Sequence, residues 1–281
     1  MSALRSLVAD ELSLRVDPRV EAMAAAIAAE YRAASRAVLF YGSCLRSDEL
    51  EGQMLDFYLI VNDYRAAYGR SWLAIANRIV PPNVFPFAHG GLSAKYAVMS
   101  APDFARDCGP EASTVSVWAR FAQPARLVWT ADAAAGEATI RAVARCAPTL
   151  LGMAEGDVLD RWRAGLTLTY AAELRAERGL RPGAIVDADP ARYLAFGRAA
   201  LAELPAGRMP SWSALRWRGK ALSAARLAKA SLTFAGGIDY LAWKVNRHAG
   251  TAIAIKPWQR RWPIVAGLLL LPKLLRGGAI R

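Results

Sequence analysis

Apolar positions along this chain change texture near residue 132. Before it they fall in short runs rich in aromatic and branched residues, each bounded by small or charged ones, which reads as strands. Four such runs stand out: Ala37–Tyr41, Met54–Val61, SAKYAVMS at 93–100 and ARLVWT at 125–130. Between them lie helical stretches. Asp17-Pro18 supplies a cap and a first turn for VEAMAAAIAAEYRAAS. Tyr64–Val80 reads as one helix stopped by Pro81-Pro82, and Ala101–Cys108 and Thr114–Phe121 as two short ones. The segment holding Asn83, Pro86, His89, Gly90 and Gly91 reads as a loop. This alternation predicts an α/β (α+β) domain with a small mixed sheet.

From Asp132 onward the pattern is helical: AAAGEATIRAVARCAPTLLG, then GDVLDRWRAGLTLTYAAELRAER up to Gly179 and Pro182, then Pro190–Leu204. The expected division is a first domain at 1–131, a helical domain at 132–204, with a winged-helix-like arrangement as one option, and a tail at 205–281. Two prolines and a glycine in Leu204–Pro210 mark the best linker.

Charge sets the tail apart. The chain has 281 residues and a net charge of +12, but from Pro205 onward fourteen Lys/Arg face a single acid, Asp239. The remainder is nearly neutral. Such asymmetry points to a polyanionic partner, nucleic acid or an anionic membrane. Five of the nine tryptophans also lie there, and Trp favours the water–lipid boundary. The apolar run Ile264–Leu271 is only eight residues long between prolines, against about 20 for a span, so the tail should lie in the interface as a basic amphipathic element. An RNA-binding arm and plain packing on the core are the competing readings; Leu- and Ile-rich stretches favour lipid, and no nucleic acid is expected. The N-terminus carries acids too early for a signal peptide, which leaves the protein in the cytoplasm.

Three dispersed cysteines and only two histidines argue against a disulfide framework, a zinc site or a His-based metal cluster. Any metal should be a hard cation on carboxylates. The candidate chemistry sits in AVLFYGSCLRSDELEGQMLDFYLIVND. Gly42-Ser43 ends the first strand, where a glycine admits close backbone approach and turn amides can cradle a phosphate. Asp56 is the one charge in the second strand, and a carboxylate there needs a cation, a metal or an exposed edge to face. Lys95, near the start of the third strand, is either a solvated edge residue or the neutraliser of a triphosphate.

A Gly-Ser turn followed by an acid on the next strand resembles the opening motif of the polymerase-β-type nucleotidyltransferases. Their common second acid is Tyr58 here. Over residues 37–200 the runs YGSCLR…MLDFYLIV, AKYAVMS, WARFAQPARLVW and LTYAAELRAERG together resemble the mitochondrial-type phosphatidate cytidylyltransferases, peripheral-membrane CDP-diacylglycerol synthases with bacterial relatives. Cys44 stands for their Gly, Gln123 for a Lys and Glu173 for an Asp.

The resemblance implies that CTP and phosphatidic acid form CDP-diacylglycerol and pyrophosphate with Mg²⁺, at the cytoplasmic face of the inner membrane, in phospholipid biosynthesis. It implies Asp56 as metal ligand, with Asp63 a further candidate, Gly42 and Ser43 around the β,γ-phosphates, and Lys95 on the leaving pyrophosphate. Arg120, Tyr170, Glu173 and Arg175 become nucleotide or headgroup contacts. Two alternatives stay open: a nucleotidyltransferase acting on a soluble acceptor such as a sugar phosphate, antibiotic or RNA, and a non-catalytic nucleotide- or lipid-binding relative.

Overall fold

The structure is a computed structural model that describes residues 1–47, 49–69, 72–172, 182–206, 209–233 and 256–257. Two capped helices lead into the sheet. In α1 (Ala3–Leu12) the Ser2 hydroxyl accepts from Arg5 N, and in α2 (Pro18–Glu30) the Asp17 carboxylate accepts from Arg19 N with Pro18 in the first turn. Then follow β1 (Ser35–Tyr41), α3 (Cys44–Ser47), β2 (Met54–Val61), α4 (Tyr64–Tyr68), α5 (Trp72–Ile79), β3 (Asn83–His89), β4 (Leu92–Ser100), α6 (Ala101–Asp107), α7 (Trp118–Phe121) and β5 (Ala125–Thr130).

The sheet order is β3-β4-β2-β1-β5. β2 and β4 run parallel, and the other three pairings are antiparallel. The expected mixed sheet therefore forms, with one strand more than the hydrophobic runs indicate. β3 is the stretch read as a loop, because Pro86 and the Gly90-Gly91 pair imitate loop punctuation. Proline lacks an N–H to donate and is admitted at a sheet edge, which is where β3 lies. Gly90 and Gly91, both at positive φ (57° and 78°), close its hairpin with β4, as a two-residue turn of this hand requires. Two helices also come out shorter than expected: 64–80 divides into α4 and α5, and 114–121 is helical only from Trp118.

After the sheet come α8 (Ala133–Val143), α9 (Cys146–Leu151), α10 (Val158–Ala172), α11 (Pro182–Asp187) and α12 (Pro190–Leu201). No strand, and hence no wing, forms among the described residues of 132–204. The strand period of two sends Leu39, Tyr58, Ile60, Ala97 and Met99 to one face, where they join a core continuous with Trp162, Tyr193 and Leu215 of the helices. Val38, Phe40, Phe57, Leu59 and Val98 face α2 on the other side.

The tail begins with α13 (Trp212–Thr233). Its first turns pack on the body: the Trp212 ring lies 6.2 Å from that of Trp118, Trp212 Nε1 donates to Met153 O at 2.9 Å, and Leu215 is buried. Gly219 abuts Ala172 O, where a Cβ would sit 2.3 Å from that oxygen. Trp217 is 78% exposed. No helix among the described residues is long and apolar enough to cross a membrane. Ile264–Leu271 lies outside the described residues.

Candidate functional site

One level of the sheet carries the chemistry. Reading across the register, Ala125 on β5, Tyr41 on β1, Asp56 on β2, Lys95 on β4 and Pro86 on β3 are successive partners. Partners in register share a face, so the Tyr41, Asp56 and Lys95 side chains stand side by side. Lys95 Nζ lies 3.1 Å from Asp56 Oδ1, with 32% and 19% of the two side chains exposed. Asp56 thus meets a cation, as an acid within an apolar strand must, and the pair remains open to solvent on one side.

Gly42 follows Tyr41 at φ 101°. A Cβ there would stand 2.9 Å from Asp56 Oδ2, so the turn passes against the carboxylate at a distance only glycine permits. Ser43 is exposed beside it. Cys44, which opens α3, is buried, with Sγ 3.8 Å from Met54 O. Burial pushes its thiol up, and the Asp56 charge adds to this.

Arg120 reaches the row from α7. It donates to Ser116 O and hydrogen-bonds the Tyr41 hydroxyl. Burial pushes that hydroxyl well above the ordinary tyrosine value and Asp56 pushes it further, while Arg120 works in the opposite direction. A second arginine arrives from the tail: Arg226 Nη1 donates to Ser116 Oγ and Nε to Pro81 O, both at 2.7 Å. Two guanidinium groups therefore bind two atoms of one serine.

Of the expected site residues, the fold brings together Gly42, Ser43, Asp56, Lys95 and Arg120. Asp63 is a correction: β2 ends at Val61, five residues and roughly 17 Å past Asp56 at about 3.3 Å each, and Asp63 lies beyond that end. There its carboxylate caps α4, accepting from Arg65 N and Ala66 N at 2.8 and 2.9 Å. Tyr58, at the place of the second acid, is buried among Tyr41, Phe104 and Phe121. Tyr170 packs half-buried from α10 against the core, and Glu173 and Arg175 lie outside the described residues.

Sequence reasoning missed Tyr41, Ser116 and Arg226. Tyr41 was legible from its place directly before Gly42. Arg226 carried no signal, being one of many bases in a helix read as facing lipid.

Among the described residues no three or more His, Cys, Asp or Glu side chains gather as a metal cluster. What the row offers is one carboxylate, a lysine, Arg120 and a glycine turn. Cations in excess of acids, beside exposed backbone, are chemistry able to hold a phosphate-bearing anion.

The fold is thus an α/β fold with a five-stranded mixed sheet followed by a helical region. No protein-family model matches the chain, and no curated protein matches it in sequence. Among solved structures it has a distant likeness to a nucleotidyltransferase-like protein from Exiguobacterium sibiricum, at 12% identity over 92% of each chain with a TM-score of 0.30. A likeness at that level carries no functional assignment.

Proposed function

We propose that this chain is a nucleotidyltransferase that binds the phosphates of CTP at the Gly42–Asp56–Lys95 row and transfers the cytidylyl group to phosphatidic acid, forming CDP-diacylglycerol and pyrophosphate. The observation that carries the phosphate site is the contact among its three parts: a glycine turn against the Asp56 carboxylate, itself 3.1 Å from Lys95. The choice of CTP and of the lipid acceptor rests on the sequence resemblance and on the basic, Trp-rich tail.

In this reading the lipid phosphate oxygen attacks the α-phosphorus of CTP in line, the bond from that phosphorus to the α,β-bridging oxygen breaks, and pyrophosphate leaves with the charge. Lys95 and Arg120 neutralise that charge, while Gly42 and Ser43 hold the terminal phosphates. The donor set fits a Mg²⁺ ion bound by one protein carboxylate, water and substrate phosphates, and does not fit one enclosed by protein oxygens. Asp56 would be its protein ligand. When bound, the ion supplies charge neutralisation and polarisation of the α-phosphate.

A second reading is favoured by two placements. Tyr58 is core and Asp63 is a helix cap, so the row has one acid where two are usual in the superfamily, and a nucleotide- or lipid-binding protein without turnover would need no more. Purified protein with Mg²⁺, phosphatidic acid vesicles and each nucleoside triphosphate in turn separates the two. CTP-selective release of pyrophosphate with a nucleotide-linked lipid supports the transferase. Saturable nucleotide binding without product supports the binding protein. Transfer to water-soluble acceptors alone would remove the lipid from the proposal.

A further inference from the structure

α5 is built inside out. Its one buried residue is Asn77, whereas Trp72, Ile75 and Ile79 are 54%, 62% and 68% exposed. At spacings of three and four these three share one face of the helix. The inward side is held by hydrogen bonds: Asn77 Nδ2 donates to Val98 O on β4 at 2.9 Å, Asn83 N donates to Asn77 Oδ1, and Asn83 Nδ2 donates to Leu73 O at 3.1 Å. Polar groups fix the helix to the sheet, and its apolar side is left facing out. Exposing three large apolar side chains in a row forgoes the main driving force of folding, and an apolar patch of this kind marks an interaction surface.

Beside that face runs a groove of about 550 Å³ between α4 and α5, lined by Tyr64, Arg65, Ala74, Ile75, Arg78 and Ile79. Arg65 and Arg78 are both exposed. The groove lining contains no acid, and the acids next to it are already engaged. Asp63 caps α4, and Asp103 accepts from the Tyr64 hydroxyl at 2.7 Å and from Arg106.

We propose that the α4–α5 groove and the outward face of α5 dock on an anionic phospholipid bilayer, with Trp72, Ile75 and Ile79 in the headgroup–acyl boundary and Arg65 and Arg78 on lipid phosphates. A tryptophan, two isoleucines and flanking arginines are the composition of an interfacial helix, and the two cations complement a negative surface. A second copy of this chain is a poorer occupant, since pairing this face with itself sets arginines against arginines. The surface lies outside the tail and stands independently of the reaction proposed above.

The test uses the full chain carrying Ile75→Cys labelled with an environment-sensitive fluorophore; Cys44, Cys108 and Cys146 are buried, so labelling is selective. Vesicles contain phosphatidylcholine alone or with phosphatidylglycerol, so that the acceptor of the proposed reaction is absent. The expected result is a blue-shifted, several-fold brighter emission with the anionic vesicles, quenched by acyl-chain nitroxide lipids and reversed by salt. Arg65→Ala with Arg78→Ala should weaken vesicle affinity by roughly 25-fold, about fivefold per cation, with an unchanged circular dichroism spectrum.

Three outcomes overturn the proposal. One is co-sedimentation with vesicles while the label at position 75 keeps its aqueous emission. Another is shielding of the label with rising protein concentration and no lipid, which assigns the face to a protein contact. The third is no vesicle binding at all.

Discussion

Lys95 Nζ stands 3.1 Å from Asp56 Oδ1, and the two residues are register partners on the parallel pair β2 and β4. This pairing neutralises the one acid in an otherwise apolar strand while leaving both groups open to a ligand. Under the proposed reaction, Asp56→Asn is expected to remove lipid product formation while nucleotide binding persists. Lys95→Ala should lower kcat/KM by about 100-fold or more, the usual loss when a positioned charge-stabilising group is removed. Steady-state kinetics on folded variants checks both, and unaltered turnover in Asp56→Asn would take that residue out of the mechanism.

Gly42 has φ 101° and no room for a methyl group beside Asp56 Oδ2. Gly42→Ala should therefore cost about 1–3 kcal/mol of stability through backbone strain and displaced carboxylate, and should raise KM for the nucleotide. Urea denaturation together with a nucleotide titration reads the two effects separately. A variant as stable and as tight-binding as the parent would show that the turn accommodates a side chain.

Arg226 joins the tail to the body through Ser116 Oγ and Pro81 O. Arg226→Ala leaves both acceptors without this donor and should destabilise the fold by about 1–3 kcal/mol. Since Arg120 holds the carbonyl of the same Ser116, nucleotide affinity should fall as well. Arg226→Lys, which keeps the charge but cannot reach two acceptors in a fork, should rescue only part of the loss. Full rescue by lysine would mean that charge alone matters there.

Asp103 offers a pH prediction. Burial by itself raises its carboxyl, but the Tyr64 hydroxyl, Arg106 and Ser100 outweigh burial and hold it below its ordinary 3.8. Near that pH the unfolded chain binds more protons than the folded one, so stability rises with pH. The contribution is complete above the ordinary value and is lost as pH falls through the lowered one. Tyr64→Phe should cost about 1 kcal/mol at neutral pH and make the acid-side decline shallower. Urea midpoints from about pH 7 to about pH 2 measure this, and an identical decline in the variant removes Tyr64 from the cause.

The residues that announce the site did so through local conflict. Asp56 stands out because a carboxylate between Leu55 and Phe57 contradicts the strand around it, and Gly42 because it ends an aromatic run. Lys95 was ambiguous until β4 paired with β2. Asp63 shows the opposite case: an acid near the right segment whose position was set by strand length, which carried it to the far end of the sheet and into a helix cap. Pro86 and Gly90-Gly91 disguised β3 because loop residues and edge-strand residues have the same chemistry.

The sequence by itself determined the short apolar runs that become β1, β2, β4 and β5, the Asp17-Pro18 start of α2, the shift to helices after Asp132, and the concentration of positive charge in the tail. Each depends on neighbours within a few positions, where propensity, capping and burial period act. Only the tertiary structure decided that Tyr41, Asp56 and Lys95 form one row, that Arg120 and Arg226 meet at Ser116, that Trp212 packs on the body, and that α5 turns its apolar face outward. Those outcomes depend on strand register and on contacts between residues far apart in the chain, where the free energy of the whole packed core, rather than any local preference, selects the partner.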